Sequence, residues 1–411
     1  MAVIFQTTEI MTSKILTLAA FILGFTQTPY AQTAHQHVNI GLVYPLSTNG
    51  VHAGQYNNLL SLNAIAGVSA SENGLCLAGV SNTIKDSASG MVAAGVVNVV
   101  GGNAKGVLAA GVVNIVKGQV TGMQASGFVN VCGNINGMQT AGFCNVARGN
   151  VNGLQYAGFV NKARNVNVQY AGFTNIADSV RGGQFAGFNN TALGTVNGVQ
   201  VAGFSNEAQN VHTQISGFIN TARNVEGAQI AGFINVAKKV KGVQLSGFMN
   251  IADSSDYPIG LINLIKKGEK AIGVSVDETG TTMATFRSGG RVLYGMVGAG
   301  INNYKSDGLY AIGAGLGAHL LMTKHFRINV EAAVNTLSGF NNKYFINTGV
   351  RIYPSFKIAR VELYGGPSIN YGAYSRRLDN YGVSNTIWSS NYYSYKQDLH
   401  FGVVGGVQVH I

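Results

Sequence analysis

Apolar and polar side chains alternate along much of this chain with a period of two residues. In the segment VNGVQVAGFSNEAQN, from Val196 to Asn210, the residues Val, Gly, Gln, Ala, Phe, Asn and Ala occupy every second position. A period of two is typical of a β-strand, because successive side chains point to opposite faces. The alternation lasts about thirteen residues and leaves two or three for a tight connection. The pattern therefore predicts strands that are joined by short turns.

The segment is one copy of a tandem repeat. The motif Gln-x-(Ala or Ser)-Gly-Phe-x-Asn occurs nine times between Gln124 and Asn250, and looser copies precede it. The motif glycines follow one another at intervals of 13 to 16 residues. A unit repeated this often predicts an array of similar elements rather than a compact enzyme domain. Units 166–179 and 211–224 are one residue shorter, which predicts a bulge or a shifted turn in each of them.

The two faces of the predicted strand differ in character. One face carries the constant Gln and Asn, and the other carries variable residues that are apolar in mid-strand, such as Ile230 and Leu245. Charged residues lie at or beside the turns, and none falls inside the nine seven-residue motif copies. An apolar belt with polar rims is typical of a strand between lipid and a barrel interior. We therefore predict an all-β fold, an antiparallel transmembrane β-barrel built largely from a meander of repeats.

The alternative architecture is a β-solenoid of 14–16-residue coils followed by a smaller C-terminal β-barrel. Stacked asparagine ladders would suit such coils. However, corners would interrupt the alternation, and the variable apolar face would meet water. Phe128, Phe143 and Phe159 share the face of Gln and Asn, so they point inward in a barrel and form the core in a solenoid. Neighbouring repeats pair antiparallel in the first architecture and parallel in the second, and the sequence leaves both open.

After about residue 255 the repeat fades, but the alternation continues in strands that are unlike one another. The clearest segments are 326–335, 360–371 and 400–411. The last of these ends on an apolar residue, which resembles the C-terminal signal by which outer-membrane barrels are recognised for assembly. That signal usually ends on an aromatic residue, and here the residue is Ile411. We expect these strands to form an outer-membrane barrel.

Composition and charge narrow the class of protein. Only 10% of the 411 residues are charged, and mean hydropathy is +0.17. No segment after the first 31 residues has the roughly 20 consecutive apolar positions of a transmembrane helix. The net charge of +11 comes from scattered basic residues rather than a dense run, which argues against nucleic-acid binding. Cys76, Cys132 and Cys144 occupy different positions of the repeat, so we expect packing residues rather than a disulfide framework.

The chain divides into four regions. Residues 1–31 are expected to be an export signal peptide, because Lys14 precedes an apolar run and a small-residue cleavage point follows. Residues 32–74 are expected to form N-terminal strands, residues 75–265 the tandem repeats, and residues 266–411 the outer-membrane barrel strands.

Beyond the signal peptide, the chain resembles a family of Gram-negative surface proteins with tandem GxQxAGxxN repeats and an outer-membrane β-barrel-like C-terminal region. The repeats carry the resemblance, together with VNIGLVYPLSTNG at 38–50 and the stretch GVSVDETG…FRSGG…LYGMVGAGIN at 273–302. The resemblance implies a location in the outer membrane or at the cell surface of a Gram-negative bacterium. It implies no particular biochemistry.

No catalytic constellation stands out in the sequence. The glycine-rich segments GVVGGV and GAGLGA are strand segments that no helix pattern follows, so they do not indicate a phosphate site. Arg327, Glu331, Arg360 and Glu362 are expected to point into the barrel, where a buried ion-pair network is favoured over an acid–base site. We expect no enzymatic activity, no cofactor and no metal site.

One segment, residues 374–397, is long enough to bind a ligand. Aromatic residues together with arginines in an exposed loop suit contact with a ligand or a glycan, and an aromatic cluster at the membrane rim is the equal alternative. The candidate ligand-binding residues are Arg376, Arg377, Trp388, Tyr392, Tyr393 and Tyr395.

Two hypotheses for the function follow. The first is a passive pore or structural component of the outer membrane. The second is a surface-exposed repeat protein, an adhesin or ligand-binding protein, anchored by its C-terminal strands. Both have outer-membrane lipid and the outer-membrane assembly machinery as partners, and the second adds a surface ligand or glycan.

Overall fold

The structure, a computed structural model, describes residues 36–302, 309–320, 322–323, 325–339, 344–375, 385–393 and 395–411. This part of the chain is almost entirely β-strand and has two parts. The first is a parallel β-solenoid of about 14 turns, and the second is a closed eight-stranded antiparallel barrel. The expected signal peptide, residues 1–31, lies outside the described residues.

The solenoid consists of 27 strands and one 3₁₀ helix, Gly50–Gln55. In most coils a longer strand carries the Gln of the repeat and a shorter strand carries the Asn. The first strands are β1 (Gln36–Val43), β2 (Leu46–Ser47), β3 (Asn57–Ser69), β4 (Ser71–Ala78), β5 (Ser81–Ile84), β6 (Ala88–Ala94), β7 (Val97–Val100), β8 (Ala104–Ala110), β9 (Val113–Val116), β10 (Gln119–Ser126), β11 (Val129–Cys132), β12 (Asn134–Ala141), β13 (Cys144–Ala147) and β14 (Val151–Ala157). The others are β15 (Val160–Lys162), β16 (Asn165–Ala171), β17 (Thr174–Ala177), β18 (Ser179–Ala186), β19 (Asn189–Ala192), β20 (Thr195–Ala202), β21 (Ser205–Ser216), β22 (Ile219–Ala231), β23 (Ile234–Val236), β24 (Lys239–Ser246), β25 (Met249–Ala252), β26 (Ser254–Ile259) and β27 (Ile262–Ile265).

Successive coils pair in parallel and in register. Strand β12 lies between β10 and β14, so that Gln139 is opposite Gln124 and Gln155, and β13 pairs in the same way with β11 and β15. The prediction of an antiparallel meander is therefore wrong for the repeats, and the alternative, a solenoid followed by a smaller barrel, is the architecture observed. Parallel pairing also joins β1 to β3 and β3 to β4, so residues 36–74 stack as part of the same solenoid.

The two shortened repeat units disturb the register where the sequence predicts. Between β14 and β16 the register shifts beside Val166, and between β20 and β21 it shifts beside Val211. In both places the neighbouring coil has one residue more than the shortened unit. The extra residue forms an irregularity in the ladder, as expected for a bulge.

The coils bury the constant Val, Gln and Asn of the repeat but not the constant Phe. Val196, Gln200 and Asn206 are buried, whereas Phe204 is 40% exposed. The chain turns at Gly203 and Phe204, and a side chain at the outside of a corner points away from the coil. The expectation that the repeated phenylalanines form the core of a solenoid is therefore wrong.

The buried asparagines form an unbroken ladder along the solenoid. Thirteen of them, one per coil from Asn82 to Asn263, are linked by twelve hydrogen bonds in which the Nδ2 group of one donates to the Oδ1 atom of the next at 2.8–3.0 Å. The first twelve Nδ2 groups also donate to a carbonyl oxygen on the facing long strand, as Asn190 does to Val201 at 2.7 Å, whereas that of Asn263 donates to the carbonyls of Gly260 and Ser288. These buried amides are therefore satisfied on all sides.

The buried glutamines form a second ladder that runs in the opposite sense. Nine of them, from Gln124 to Gln244, are joined by eight bonds of 2.8–3.1 Å in which each Nε2 group donates to the preceding coil. Most also donate across to the short strand of their own coil, as Gln200 does to the Glu207 carbonyl at 3.1 Å. The ladder ends because Pro258 occupies the next position, and the Gln244 Oε1 atom has no hydrogen-bond partner.

The corner glycine is required by the stacking distance between coils. A Cβ atom on Gly203 would lie 2.1 Å from the carbonyl oxygen of Gly187 in the preceding coil, which no side chain can tolerate. The same close contact recurs at the other corner glycines of the motif, for example between Gly232 and Gly217. Glycine is thus fixed at this position by the close approach of two backbones.

The barrel follows directly after β27. Its strands are β28 (Glu269–Asp277), β29 (Thr282–Gly289), β30 (Leu293–Asn302), β31 (Leu309–Leu320), β32 (Phe326–Ser338), β33 (Tyr344–Ile358), β34 (Val361–Ser375) and β36 (Tyr395–His410), and β35 (Thr386–Asn391) is an additional strand before the last. Neighbours pair antiparallel, and β36 closes the barrel by pairing with β34 on one edge and β28 on the other. Along the eight barrel strands, exposed and mostly apolar residues alternate with buried and largely polar ones. The prediction of amphipathic antiparallel strands is confirmed for this part of the chain.

The last coil of the solenoid is bonded to the barrel. The backbone N–H group of Asn263 donates to the Ser288 hydroxyl at 2.9 Å, and its side-chain amide donates to the Ser288 carbonyl at 3.2 Å. Gly295 of β30 lies so close to the carbonyls of Gly260 and Leu261 that a Cβ atom there would come within 2.3 Å of both. The final asparagine of the ladder is therefore satisfied by the barrel.

Replacing Asn190 by Ala tests the ladder. The change leaves the Asn175 donor, the Asn206 acceptor and the Val201 carbonyl buried without their partner, so we expect a loss of roughly 2–5 kcal/mol in the free energy of unfolding. Urea denaturation followed by circular dichroism measures it. The matched control is Asn197→Ala, the same chemical change at an exposed position, which should cost less than about 0.5 kcal/mol. Equal losses for the two variants would contradict a stabilising role of the ladder.

Candidate functional site

The solenoid presents an apolar and aromatic surface along one side. Nine corner phenylalanines, from Phe128 to Phe248, stack on one another with ring centroids 4.8–5.1 Å apart. The outer face of the long strands continues this surface with exposed Tyr156, Tyr170 and Leu245. These are the variable residues of the repeat, and in a solenoid they face outward. The side chains form a regular, open surface rather than a cleft.

The opposite edge of the solenoid is charged. The turns there carry Arg148, Arg164 and Asp178, and the Arg164 Nε atom lies 3.9 Å from an Asp178 carboxylate oxygen. A groove of about 410 Å³ lies on the neighbouring short-strand face, with an apolar floor that includes Val131 and Val146 and a rim that includes these charged side chains. Its residues could hold a ligand that combines an apolar body with a negative charge.

The middle of the barrel is filled by a hydrogen-bonded cluster around one ion pair. Arg287 donates through Nε to the Glu331 carboxylate at 2.8 Å, and both side chains are buried. Arg287 also donates to the Tyr364 hydroxyl at 3.1 Å and to Gln408 at 3.2 Å, and the Tyr294 hydroxyl donates to Glu331 at 2.9 Å. Paired and hydrogen-bonded charges of this kind are the form in which ions persist in an interior.

A second cluster lies closer to the solenoid. Arg327 donates to the Glu269 carboxylate at 2.8 Å and approaches Glu362 at 3.5 Å. The Glu362 carboxylate also accepts from Gln408 at 3.0 Å and lies 2.6 Å from the His410 Nε2 atom. The prediction that Arg327, Glu331 and Glu362 point into the barrel as an ion-pair network is confirmed.

One member of the predicted network is wrong, and one was missed. Arg360 is exposed because it lies in the turn between β33 and β34, where strand alternation no longer applies. The basic residue that pairs with Glu331 is instead Arg287, which the sequence analysis did not select. The signal for Arg287 was present, since Thr285 and Arg287 alternate with Ala284 and Phe286 along β29.

The end of the barrel away from the solenoid is also closed by side chains. Buried His400 lies 2.8 Å from Asp398 and 3.3 Å from Glu278. Beside this group, an apolar layer is formed by Met283, Leu309, Ala311, Leu337, Phe345 and Tyr374. The described side chains thus fill the barrel interior from end to end, and this arrangement gives no support to a passive pore.

The predicted aromatic ligand-binding residues come together on one hairpin. Strand β35 pairs with the first residues of β36, beyond the part of β36 that pairs with β28. Trp388 is 49% exposed and Tyr393 is 99% exposed, while the rings of Tyr392 and Tyr395 stack with centroids 4.7 Å apart. The turn is closed by the Tyr392 N–H group, which donates to the Tyr395 carbonyl at 2.9 Å. Exposed rings of this kind can stack on a planar or sugar ligand.

The two arginines of the same prediction, Arg376 and Arg377, lie outside the described residues. The described hairpin carries Lys396, whose Nζ atom lies 5.8 Å from the centre of the Tyr374 ring. The structure therefore brings together four of the six predicted residues.

The cysteines pack within the solenoid as expected. All three are free thiols; Cys76 and Cys132 are buried, and burial raises the pKa of Cys132 to about 12 and that of Cys144 to about 11.

Among the residues that the structure describes, no group of His, Cys, Asp and Glu side chains is arranged to hold a metal ion. Within the same residues, no helix has the length and apolar character needed to cross a membrane.

One carboxyl group is buried inside the solenoid. Glu72 occupies the position that Val196 and its equivalents fill in other coils, and it is 1% exposed. Its Oε1 atom accepts hydrogen bonds from Ser61 at 2.7 Å and from Asn58 at 3.1 Å, whereas Oε2 has no hydrogen-bond partner. Burial raises the pKa of Glu72 above its ordinary value, and the hydrogen bonds only partly oppose this.

Comparisons of the chain with protein-family models, with curated proteins and with solved structures found no match.

Replacing Glu72 by Gln should remove a pH dependence of stability. Because the folded pKa of Glu72 is raised, the stability that its neutral form contributes is present below its unfolded value of 4.5 and is lost as pH rises through the folded pKa. Between about pH 4 and about pH 8, the thermal midpoint of the unsubstituted chain should therefore fall relative to that of Glu72→Gln. Glu226→Gln, at an exposed position of β22, is the control and should track the unsubstituted chain at every pH. Parallel curves for Glu72→Gln and the unsubstituted chain would contradict the expectation.

Proposed function

We propose that this is an outer-membrane protein in which the barrel is the membrane anchor and the solenoid is a non-enzymatic repeat surface that binds a partner. The observation that supports it is the inverted polarity of the barrel. Apart from one apolar layer at the end away from the solenoid, its buried side chains are largely charged or polar around pairs such as Arg287 and Glu331, and its exposed strand side chains are largely apolar. A water-soluble barrel has the opposite distribution.

The exposed apolar residues form a belt around the barrel. Eight strands give an interior just wide enough for side chains to fill it, as in small outer-membrane barrels. A closed barrel also leaves no unpaired strand edge in hydrocarbon. The belt includes Ile272, Val274, Val276, Ile301, Ile312, Leu316, Val350, Ile352, Phe356, Leu363, Ile369, Phe401, Val403 and Val407, all of them exposed. An apolar belt on a closed barrel is the surface that lipid covers.

The solenoid supports the binding role. About 14 coils at a spacing of roughly 4.8 Å give a rod of roughly 65 Å. The rod has an aromatic edge that is continuous over nine coils and an opposite edge where charged side chains recur in the turns of many coils. Extended surfaces of this kind are how repeat proteins bind elongated partners. The exposed hairpin with Trp388 and Tyr393 is a second place where a ligand or glycan could bind.

Val350→Arg tests the membrane anchor. Val350 is 50% exposed near the middle of β33, so in a lipid bilayer the new charge should cost roughly 2–4 kcal/mol and impair assembly. Val243→Arg is the matched control, because Val243 is 36% exposed on the outer face of the solenoid and should tolerate the charge. The measurement is recovery of the full chain in carbonate-resistant outer membranes, with the gel shift between unheated and heated samples as the assay of folding. Recovery of the unsubstituted chain in a soluble fraction, or equal recovery of both variants, would overturn the proposal.

The filled interior predicts electrical silence. The folded full chain, reconstituted in planar bilayers, should give no discrete conductance steps because the Arg287, Arg327 and His400 clusters and the apolar layer occupy the lumen. Folding is verified on the same sample by the gel shift. Discrete, reproducible steps from folded protein would restore the pore hypothesis.

A further inference from the structure

The end of the barrel that receives the solenoid has a rim held together by backbone hydrogen bonds. Ile411 donates to the Lys270 carbonyl at 2.9 Å, and His410 donates to the Arg360 carbonyl at 2.8 Å. Lys357 donates to the His325 carbonyl, also at 2.8 Å. The beginning of β28, the last residues of β36 and two interstrand turns therefore meet at one rim.

This rim is basic. The segments that enter or connect strands there carry five basic and no acidic residues, and the structure describes four of these, all exposed: Lys266, Lys267, Arg291 and Arg360. The fifth is Lys324, which lies outside the described residues. The connecting segments at the other rim carry four basic and three acidic residues in the sequence. The charge is thus concentrated on one end of the barrel.

The acidic groups near the rim offset this charge only in part. Glu269 is held by Arg327 at 2.8 Å and points to the interior cluster. Asp253 and Asp256 are exposed on the last coils of the solenoid, where the Asp256 carboxylate accepts from the Gly242 N–H group at 3.2 Å. We name the four exposed basic residues, Lys266, Lys267, Arg291 and Arg360, the basic collar.

The basic collar borders the apolar belt of the barrel. Ile272 is 54% exposed two residues beyond Lys270, and Val361, which follows Arg360, is 43% exposed. In a membrane the zone just beyond an apolar belt is occupied by lipid headgroups. Basic side chains in that zone are attracted by anionic phosphates.

The lengths of the connections indicate which leaflet meets the basic collar. At the solenoid end, successive strands are joined by segments 290–292, 321–325 and 359–360. At the other end, the segments are 278–281, 303–308, 339–343 and 376–394, the last of which contains the aromatic hairpin. In outer-membrane barrels the short turns face the periplasm and the longer loops face outward. Because the chain runs from β27 directly into β28 and the interior is filled, the solenoid stands on the side of the short turns.

We propose that the basic collar binds the phosphate groups of anionic phospholipids in the periplasmic leaflet of the outer membrane. The solenoid then stands in the periplasm and the aromatic hairpin faces the exterior. This inference rests on the proposed function, since it needs the barrel to be in a membrane. It adds the lipid partner and the orientation, neither of which follows from membrane anchoring alone.

The test compares two sets of four substitutions in the folded full chain. The collar variant carries Lys266→Gln, Lys267→Gln, Arg291→Gln and Arg360→Gln. The control carries Lys85→Gln, Lys117→Gln, Arg148→Gln and Arg223→Gln, which remove the same charge from exposed positions of the solenoid. Each protein, in neutral detergent micelles, is titrated with phosphatidylglycerol, phosphatidylcholine or lipopolysaccharide, and the thermal midpoint is read from the gel shift.

Phosphatidylglycerol should raise the midpoint of the unsubstituted chain and of the control, and phosphatidylcholine should not. The collar variant should need at least roughly tenfold more phosphatidylglycerol for the same rise, because four charges near the phosphates are lost. An equal response of the collar variant and the control overturns the lipid partner. A stronger response to lipopolysaccharide than to phosphatidylglycerol overturns the choice of leaflet. If no sample shows a gel shift with any lipid, the membrane anchor itself fails, and that result is distinct from the others.

A second measurement tests the orientation directly. An epitope inserted after Tyr393 should be bound by antibody on intact cells, whereas an epitope inserted after Leu193, in a solenoid turn, should be bound only after the outer membrane is permeabilised. Antibody binding to the solenoid epitope on intact cells would overturn the periplasmic placement, whatever the lipid titration shows.

Discussion

The stacking of identical buried amides is the interaction on which the rest of the structure depends. An asparagine inside a solenoid can satisfy its donors and acceptor only if the next coil places another asparagine at the same height, about 4.8 Å away. From Asn82 to Asn263 the chain meets this condition in every coil. The condition forces parallel pairing in register, and this brings all the other repeated positions into columns. The corner glycines lie against one another because nothing larger fits, and the corner phenylalanines stack on the outside.

At the ends of a ladder the last amide groups need hydrogen-bond partners other than another coil, and the two ends of this solenoid differ in what they provide. At the first coils, polar side chains take the place of the repeat residues, and Glu72 with Asn58 and Ser61 forms a small buried group. At the last coil, Asn263 bonds to Ser288 of the barrel, so the barrel caps the solenoid. The glutamine ladder has no such closure, because Pro258 supplies no donor to Gln244. The last asparagine of the ladder, Asn263, therefore bonds both to the preceding coil and to the barrel, and so joins the two parts of the molecule.

The solenoid and the barrel distribute polarity in different ways, and this difference is the basis of the proposed membrane-anchored binding function. Apart from Glu72, the solenoid buries neutral amides and keeps its charged side chains exposed or half-buried, mostly in its turns. The barrel buries charges as pairs, such as Arg287 with Glu331, and exposes aliphatic side chains to its surroundings. A filled interior is suited to anchoring rather than to transport. The basic collar lies at the boundary between the two parts, where a membrane surface would meet the protein.

The sequence by itself determined the all-β class, the length of the repeat unit and the alternation of faces within a strand, because these depend only on local backbone geometry. The strand of about thirteen residues that it predicted for each repeat is divided in most coils by the Gly-Phe corner into a longer and a shorter strand. It also identified the inward positions of Arg327, Glu331 and Glu362, since alternation holds along a straight strand. Four of the aromatic candidates were likewise found on one hairpin, as a single loop in sequence allows. Only the tertiary structure decided whether the repeats pair parallel or antiparallel, because a period of two is the same in both. It also decided that Phe204 and its equivalents face outward and that Arg360 leaves the barrel interior, since a corner or a turn reverses the direction of a side chain without changing its place in the pattern.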